Sequence, residues 1–189
     1  MPCYTIIAGV NGVGKSSLSG VLKSQRSDLG YIIDVDKIGV INKCSAIDAG
    51  KIAIRKINEC LAKELSFTQE TTLSGFLTER TVKQARAKGY VVRLFYIGLN
   101  TAAESLERIQ NRVTKGGHNI APHDVERRFV KRFGDLARVL PYCNEVRFFD
   151  NENGFVEVGE YRNGEVICMG EYRPSWLSGL INELGTVWK

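Results

Sequence analysis

The sequence lacks the features that mark secreted, membrane-spanning and zinc-binding proteins. No apolar stretch approaches the roughly 20 residues that cross a bilayer, and the short apolar run Tyr4–Ala8 has no basic segment ahead of it, so no signal peptide is predicted. The five cysteines stand apart, without a C-x-x-C pair or a histidine at zinc-ligand spacing. These absences predict a cytoplasmic protein with reduced thiols and no membrane partner.

The excess of positive over negative charge is also small. The formal net charge is +5 and no dense basic run occurs, so nucleic acid is not the expected partner. No repeat, low-complexity segment or linker interrupts the 189 residues. This predicts a single domain over residues 1–189, long enough to bury a core without disulfides.

What the sequence does have is a phosphate-binding loop. Gly9–Ser16 fits the pattern G-x-x-x-x-G-K-[ST], between a buried-strand run and apolar residues at helical spacing. In such a loop the backbone N–H groups face phosphate oxygens, Lys15 reaches the β- and γ-phosphates, and the Ser16 hydroxyl binds Mg²⁺. A nucleoside triphosphate, with ATP as the first choice, is therefore the predicted ligand. Its expected contacts are Gly9, Asn11, Gly12, Val13, Gly14, Lys15, Ser16 and Ser17.

Strand and helix signals alternate along the chain. After the first strand, buried-strand patterns end at Ile33, Gln69, Ile97 and Phe149, and helices are expected from Ser45, Phe76, Thr101 and Pro122, with a polar loop after Asp36. This order predicts an α/β three-layer sandwich of the P-loop NTPase type, with a mainly parallel five-stranded sheet. Asn163-Gly164 predicts a C-terminal β-hairpin before a terminal helix, together spanning 155–188.

Three classes of P-loop protein compete for this pattern. A GTPase needs a base-reading N-K-x-D, and the nearest string, residues 42–45, lacks the aspartate. A motor ATPase has four apolar residues before Asp-Glu, and residues 67–70 are too polar. A kinase needs a carboxylate that orients an acceptor hydroxyl and basic residues that cover the phosphoryl group. Asp34 and Asp36 supply the first, and a predicted lid over about 108–128, with Gly116-Gly117 as its hinge, supplies the second.

The same motifs resemble the zeta-toxin-like P-loop kinases. The resemblance rests on Gly9–Ser16, Asp34-Val35-Asp36, Glu70-Thr71-Thr72 and residues 112–120, and it spans most of residues 3–151. Zeta toxins use ATP and Mg²⁺ to phosphorylate a hydroxyl of UDP-N-acetylglucosamine, and a small antitoxin restrains them. The resemblance therefore implies a phosphotransferase with a small-molecule hydroxyl acceptor, ATP and Mg²⁺ as cofactors, and an antitoxin partner.

The resemblance also assigns roles to individual residues. The interval from Lys15 sets Asp36 at the catalytic-base position, and Arg112 fits the lid arginine that neutralises the transferring phosphoryl group. Glu70, Thr72 and Arg128 fall on the substrate side, and Asn151 borders the adenine. Asp34 either lies in the Mg²⁺ water shell or binds backbone donors, and His118 is expected to hydrogen-bond within the lid loop.

One departure bears on the acceptor. The toxins carry an arginine two residues beyond the threonine, where this chain has Ser74. Two alternatives to a small-molecule kinase stay open at this point: a polynucleotide 5′-hydroxyl kinase, and a binding protein gated by ATP.

Overall fold

A single seven-stranded sheet organises the chain. The computed structural model describes residues 1–117 and 119–187, with side chains described through residue 185. The sheet has the order β2-β3-β1-β4-β5-β6-β7. Its strands are β1 (Cys3–Ala8), β2 (Tyr31–Asp34), β3 (Phe67–Thr71), β4 (Val91–Gly98), β5 (Glu145–Asp150), β6 (Val156–Arg162) and β7 (Glu165–Cys168).

The first five strands are parallel, which confirms the predicted class. The predicted hairpin also forms: β6 and β7 are antiparallel and joined at Asn163-Gly164, where φ is 54° and 87°. Because β6 also pairs antiparallel with β5, the hairpin continues the main sheet. The protein is therefore α/β with a five-stranded parallel sheet and a two-stranded antiparallel extension.

Helices fill the connections between strands. They are α1 (Lys15–Gln25), α2 (Val35–Asn42), α3 (Ala46–Ala62), α4 (Leu77–Ala87), α5 (Ala102–Thr114), α6 (Pro122–Ala137) and α7 (Ser175–Val187), with a 3₁₀ turn at Leu140–Tyr142. The helix starts predicted at Ser45 and Thr101 are confirmed, since their hydroxyls accept hydrogen bonds from Asp48 N (3.1 Å) and Glu104 N (3.2 Å). The predicted end of the last helix, at residue 188, lies outside the described residues, as does His118.

The polar loop predicted after Asp36 is wrong, because α2 occupies that position. Asp34 Oδ1 accepts hydrogen bonds from Asp36 N (2.9 Å) and Lys37 N (3.3 Å), so Asp34 is the N-cap of α2. Asp36 lies in the first helical turn. The helix fixes the direction of Asp36, which a loop would leave free.

The core lies on both faces of the sheet. On one face α1 packs Leu18 and Leu22 against Ile7, Phe95 and Ile97. The other face is covered by residues of α3, α4, α6 and α7, including Ala53, Val82, Leu136 and Trp176. Every residue of β1 is buried. A central strand covered on both faces has a largely apolar sequence, which is why the position of β1 could be predicted.

The parallel register brings the strand ends together. Asp34 pairs with Glu70, Ala8 with Thr71, and Gly98 with Asp150. The polar residues predicted to follow the strands therefore share one rim with the loop after β1. Across the described part of the chain, none of the helices is both long and apolar enough to span a bilayer.

Candidate active site

The loop between β1 and α1 forms a cradle that requires glycine. Gly9, Gly12 and Gly14 have φ of 147°, 76° and 98°, a region that side chains disfavour. A Cβ on Gly12 would lie 2.9 Å from the Ser105 carbonyl oxygen, and one on Gly14 would lie 2.6 Å from Asn151 Nδ2. Since Gly14 is the N-cap of α1, the unpaired N–H groups of the first helical turn point toward the cradle. The cradle suits an anion.

Three parts of the chain hold this loop in place. The Ser105 hydroxyl, on α5, donates to the Asn11 carbonyl (2.6 Å), and Arg128 Nη1, on α6, donates to Asn11 Oδ1 (3.0 Å). Asn151 Nδ2, just past β5, donates to the Val13 carbonyl (2.9 Å). Arg128, predicted on the substrate side, thus contacts the phosphate loop in this structure. Asn151, predicted to border the adenine, contacts the same loop.

Lys15 folds back over the loop. Its ammonium donates to the carbonyl oxygens of Gly9 and Val10, both at 3.0 Å. Removal from water lowers the pKa of Lys15 to about 8, against the opposing charges of Glu70, Asp36 and Asp34. The lysine is therefore held beside the cradle, and it loses its proton more easily than an ordinary lysine. A bound anion would favour its charged form.

An oxygen cluster lies at the first turn of α1. The Ser16 hydroxyl donates to Glu70 Oε2 (2.7 Å), and Asp34 Oδ2 lies 3.5 Å from the same hydroxyl. Both carboxylates are buried. Glu70 Oε1 is also buried and makes no hydrogen bond within the described residues. A hydroxyl and two carboxylates, one with an unused oxygen, form the hard-oxygen donor set that Mg²⁺ prefers, so the site fits the metal.

Asp36, in the first turn of α2, faces Arg112. Its carboxylate is half exposed, and Asp36 Oδ2 lies 4.0 Å from Arg112 Nη1 on α5. Thr72, partly buried, follows β3 directly. Ser17 is exposed in the first turn of α1. The structure thus brings the predicted base and the predicted lid arginine within 4.0 Å of each other.

The C-terminal end of α5 supports the placement of Arg112. Gly116 N donates to Val113 O and Gly117 N donates to Arg112 O, both at 2.9 Å, and φ of Gly116 is 83°. This is the Schellman arrangement, and it confirms that the helix ends at the glycine pair. A Cβ on Gly117 would lie 2.5 Å from Arg112 Cγ, so Gly117 lets the chain turn closely behind this arginine.

A cleft of about 550 Å³ opens between the phosphate loop and α5. Arg108, Arg112 and Lys115 give it a positive wall, and Arg108 Nη2 donates to the Asn151 carbonyl (2.8 Å). The other residues that line it are Gly12, Asn111, Gly116, Gly117 and Asn151. A concave, positively charged cleft beside the cradle suits the remainder of a nucleotide.

Sequence reasoning missed two residues of this site. Lys37 contributes an ammonium to the oxygen cluster, 3.6 Å from Asp34 Oδ2 and 3.8 Å from Glu70 Oε1. Its spacing of three from Asp34 would have indicated the first contact once α2 was recognised. Ser105 binds the phosphate loop, and nothing in the sequence around it indicates this contact.

Comparisons with known proteins place the chain in a family. No protein-family model matches the sequence. An uncharacterised protein of Haemophilus influenzae is 36% identical over 126 residues, which cover 64% of this chain and 88% of the relative. The chain belongs to the family of this Haemophilus protein.

Two solved structures show the fold of this family member. A chain of the PezAT chromosomal toxin–antitoxin system of Streptococcus pneumoniae superposes with a TM-score of 0.63 at 15% identity, over 99% of this chain and 83% of that chain. The AvrRxo1-ORF1:ORF2 complex with ATP gives a TM-score of 0.67 at 18% identity, over 96% of this chain and 63% of that chain. The fold is that of the zeta-toxin-like P-loop kinases, as the resemblance predicted.

Proposed function

We propose that the protein is an ATP- and Mg²⁺-dependent kinase that phosphorylates a hydroxyl of a small molecule. The observation that carries this proposal is the arrangement on one rim: Lys15 at the cradle, the Ser16 cluster with its two carboxylates, and Asp36 paired with Arg112. The resemblance to zeta toxins suggests UDP-N-acetylglucosamine or a related metabolite as the acceptor. The proposal treats residues 1–189 as one cytoplasmic kinase domain.

In the proposed reaction the chain binds, orients and covers the reacting groups. The loop N–H groups and Lys15 bind the phosphates, and Arg108 and Asn151 line the cleft for the nucleoside. Ser16, with Asp34 and Glu70 behind it, would hold Mg²⁺, which neutralises charge on the transferring phosphoryl group when bound. Asp36 accepts a hydrogen bond from the acceptor hydroxyl and aligns its oxygen with the γ-phosphate.

We propose that Arg112 pairs with Asp36 first and with the transferring phosphoryl group once the substrates bind. Its Nη1 lies 4.0 Å from Asp36 Oδ2. An acceptor hydroxyl that binds Asp36 and a γ-phosphate that attracts Arg112 would separate this pair. Both side chains are partly exposed, so the ion pair is weak and its loss costs little. Closure of the lid then excludes water from the transfer.

An antitoxin partner is part of the proposal. It is supported by the two structural neighbours, one from a toxin–antitoxin system and one from a two-component complex. Co-expression of the protein with the product of a neighbouring gene, followed by co-purification and a growth assay, tests this partner. Growth arrest by the protein alone, relieved by the second gene, is the expected result.

Replacement of Asp36 by Asn tests the kinase reaction. The purified protein is incubated with labelled ATP and a metabolite extract, and mass spectrometry identifies new phosphorylated species. Asp36→Asn should lower transfer at least about a hundredfold, because an uncharged amide oxygen is too weak a base to take the hydroxyl proton, while ADP affinity stays within about twofold of wild type. Glu59→Gln, an exposed charge removal on α3, is the control. Undiminished transfer by Asp36→Asn would refute the assignment of the base.

A further inference from the structure

The ammonium of Lys37 lies between the two buried carboxylates of the oxygen cluster. It is 3.6 Å from Asp34 Oδ2 and 3.8 Å from Glu70 Oε1. The carboxylates are only 8% and 4% exposed, whereas the Lys37 side chain is 57% exposed. A partly exposed cation thus compensates two buried anions.

The two carboxylates need this compensation when no metal is bound. They share the Ser16 hydroxyl, so their charges lie close together in a region that water reaches poorly. Glu70 Oε1 makes no hydrogen bond within the described residues, and Lys37 is the cation that faces it. The charge of Lys15 also acts on both carboxylates, but Lys15 donates its hydrogen bonds to the carbonyls of Gly9 and Val10. Without Lys37 the two buried anions would be compensated only in part, and their repulsion would destabilise the rim.

The position of the Lys37 ammonium conflicts with a bound metal. Asp34 and Glu70 are the carboxylates that would face Mg²⁺ or its water shell, and two cations competing for the same oxygens repel each other. Lys37 has room to withdraw. It lies on the rim of a groove of about 490 Å³ between α1, α2 and α3, which Ser16 and Asp34 also line. Withdrawal of one long, partly exposed side chain needs no movement of the backbone.

We propose that Lys37 is an exchangeable counter-ion of the metal site. It holds Asp34 and Glu70 in place while the site is empty, and Mg²⁺ displaces it when the metal–nucleotide complex binds. The proposal rests on the proposed function only in that the metal site is the one used with the nucleotide. Lys37 is a positioning residue in this scheme, and it does not touch the reacting atoms.

The test compares metal binding in Lys37→Met, Lys37→Arg and the wild-type protein. Mn²⁺ alone is titrated by electron paramagnetic resonance, and the Mg²⁺ dependence of ADP binding is measured by calorimetry. Lys37→Met should bind the metal about tenfold more tightly in both assays, since one or two partly exposed ion pairs no longer compete. It should also melt at a lower temperature without metal and recover when Mg²⁺ is added. Lys37→Arg keeps the charge and should resemble wild type.

A matched control separates this effect from general electrostatics. Lys56 lines the same groove from α3, so Lys56→Met removes an equal charge nearby and should leave metal affinity within about twofold of wild type. An equal gain in Lys56→Met would overturn the proposal, as would an unchanged affinity in Lys37→Met. Weaker metal–ADP binding in Lys37→Met would overturn it too, because Lys37 would then be a phosphate ligand. If Lys37→Met does not fold, Lys37→Gln replaces it under the same criteria.

These outcomes are independent of phosphoryl transfer. A tenfold gain in metal affinity without any kinase activity would support the role of Lys37 and refute the proposed function. Normal kinase activity with no change in metal affinity would support the proposed function and refute the role of Lys37.

Discussion

The pKa of Lys15 leads to a pH dependence of nucleotide binding that can be measured directly. Burial lowers this pKa to about 8 in the free protein. Phosphate oxygens favour the charged lysine, so bound nucleotide raises the pKa again. The free protein therefore loses a proton as the pH rises through about 8, and nucleotide binding above that pH must take the proton back.

The magnitude follows from the fraction of charged lysine. With a pKa of about 8, roughly nine-tenths of the free protein carries the charge at pH 7 and roughly one-tenth at pH 9. The dissociation constant for ADP should therefore rise about tenfold from pH 7 to pH 9, and only about twofold from pH 7 to pH 8. An unperturbed lysine, with a pKa near 10.4, would give almost no change over this range.

Isothermal titration calorimetry of ADP checks this reasoning. Runs in two buffers with different ionisation enthalpies give the protons taken up per ADP bound, expected at roughly 0.1 at pH 7 and 0.9 at pH 9. Lys15→Arg is the control, because arginine stays charged and should show neither the pH dependence nor the uptake. Uptake below about 0.2 at pH 9 by the wild-type protein, or the same uptake by Lys15→Arg, would refute the argument.

Two further substitutions test the contacts around the rim. Asn151→Ala removes the hydrogen bond to the Val13 carbonyl and should weaken ADP binding about three- to tenfold by calorimetry, whereas Asn153→Ala, exposed in the same loop, should have no effect. Gly98→Ala places a Cβ inside the Trp176 ring and should lower the free energy of unfolding by about 1–3 kcal/mol, measured by urea denaturation. Gly50→Ala in α3, where a Cβ meets no atom within 4 Å, should instead raise it slightly, and equal effects of the two alanines would contradict the packing argument.

The end of β5 is supported by the C-terminal helix, whose Trp176 packs closely over Gly98 at the end of β4. Trp176, on α7, donates from Nε1 to Asp150 Oδ1 (2.7 Å), and Asp150 Oδ2 accepts from Glu152 N (2.9 Å). The C-terminal helix therefore fixes the segment that carries Asn151 to the phosphate loop. Nothing in the local sequence near Asn151 indicates this support, because its partners are more than twenty residues away.

The fold class was predictable because its signals are local. The phosphate loop requires glycine at set positions, β1 is mostly apolar because it is covered on both faces, and Ser45 and Thr101 cap the helices that follow them. The helix after β2 was missed for an equally physical reason. An aspartate that ends a strand and caps a helix looks like a turn residue when the helix is not recognised.

By itself, the sequence determined the cradle, the parallel sheet and the rim on which Lys15, Asp36 and Glu70 meet, since each follows from short-range spacing and from the rule that strand ends share an edge. Only the tertiary structure decided how the charges on that rim pair. Arg128 binds the phosphate loop, Arg112 faces Asp36, and Lys37 bridges two buried carboxylates. Such pairings depend on distances of a few ångströms between separate elements, and no spacing along the chain encodes them.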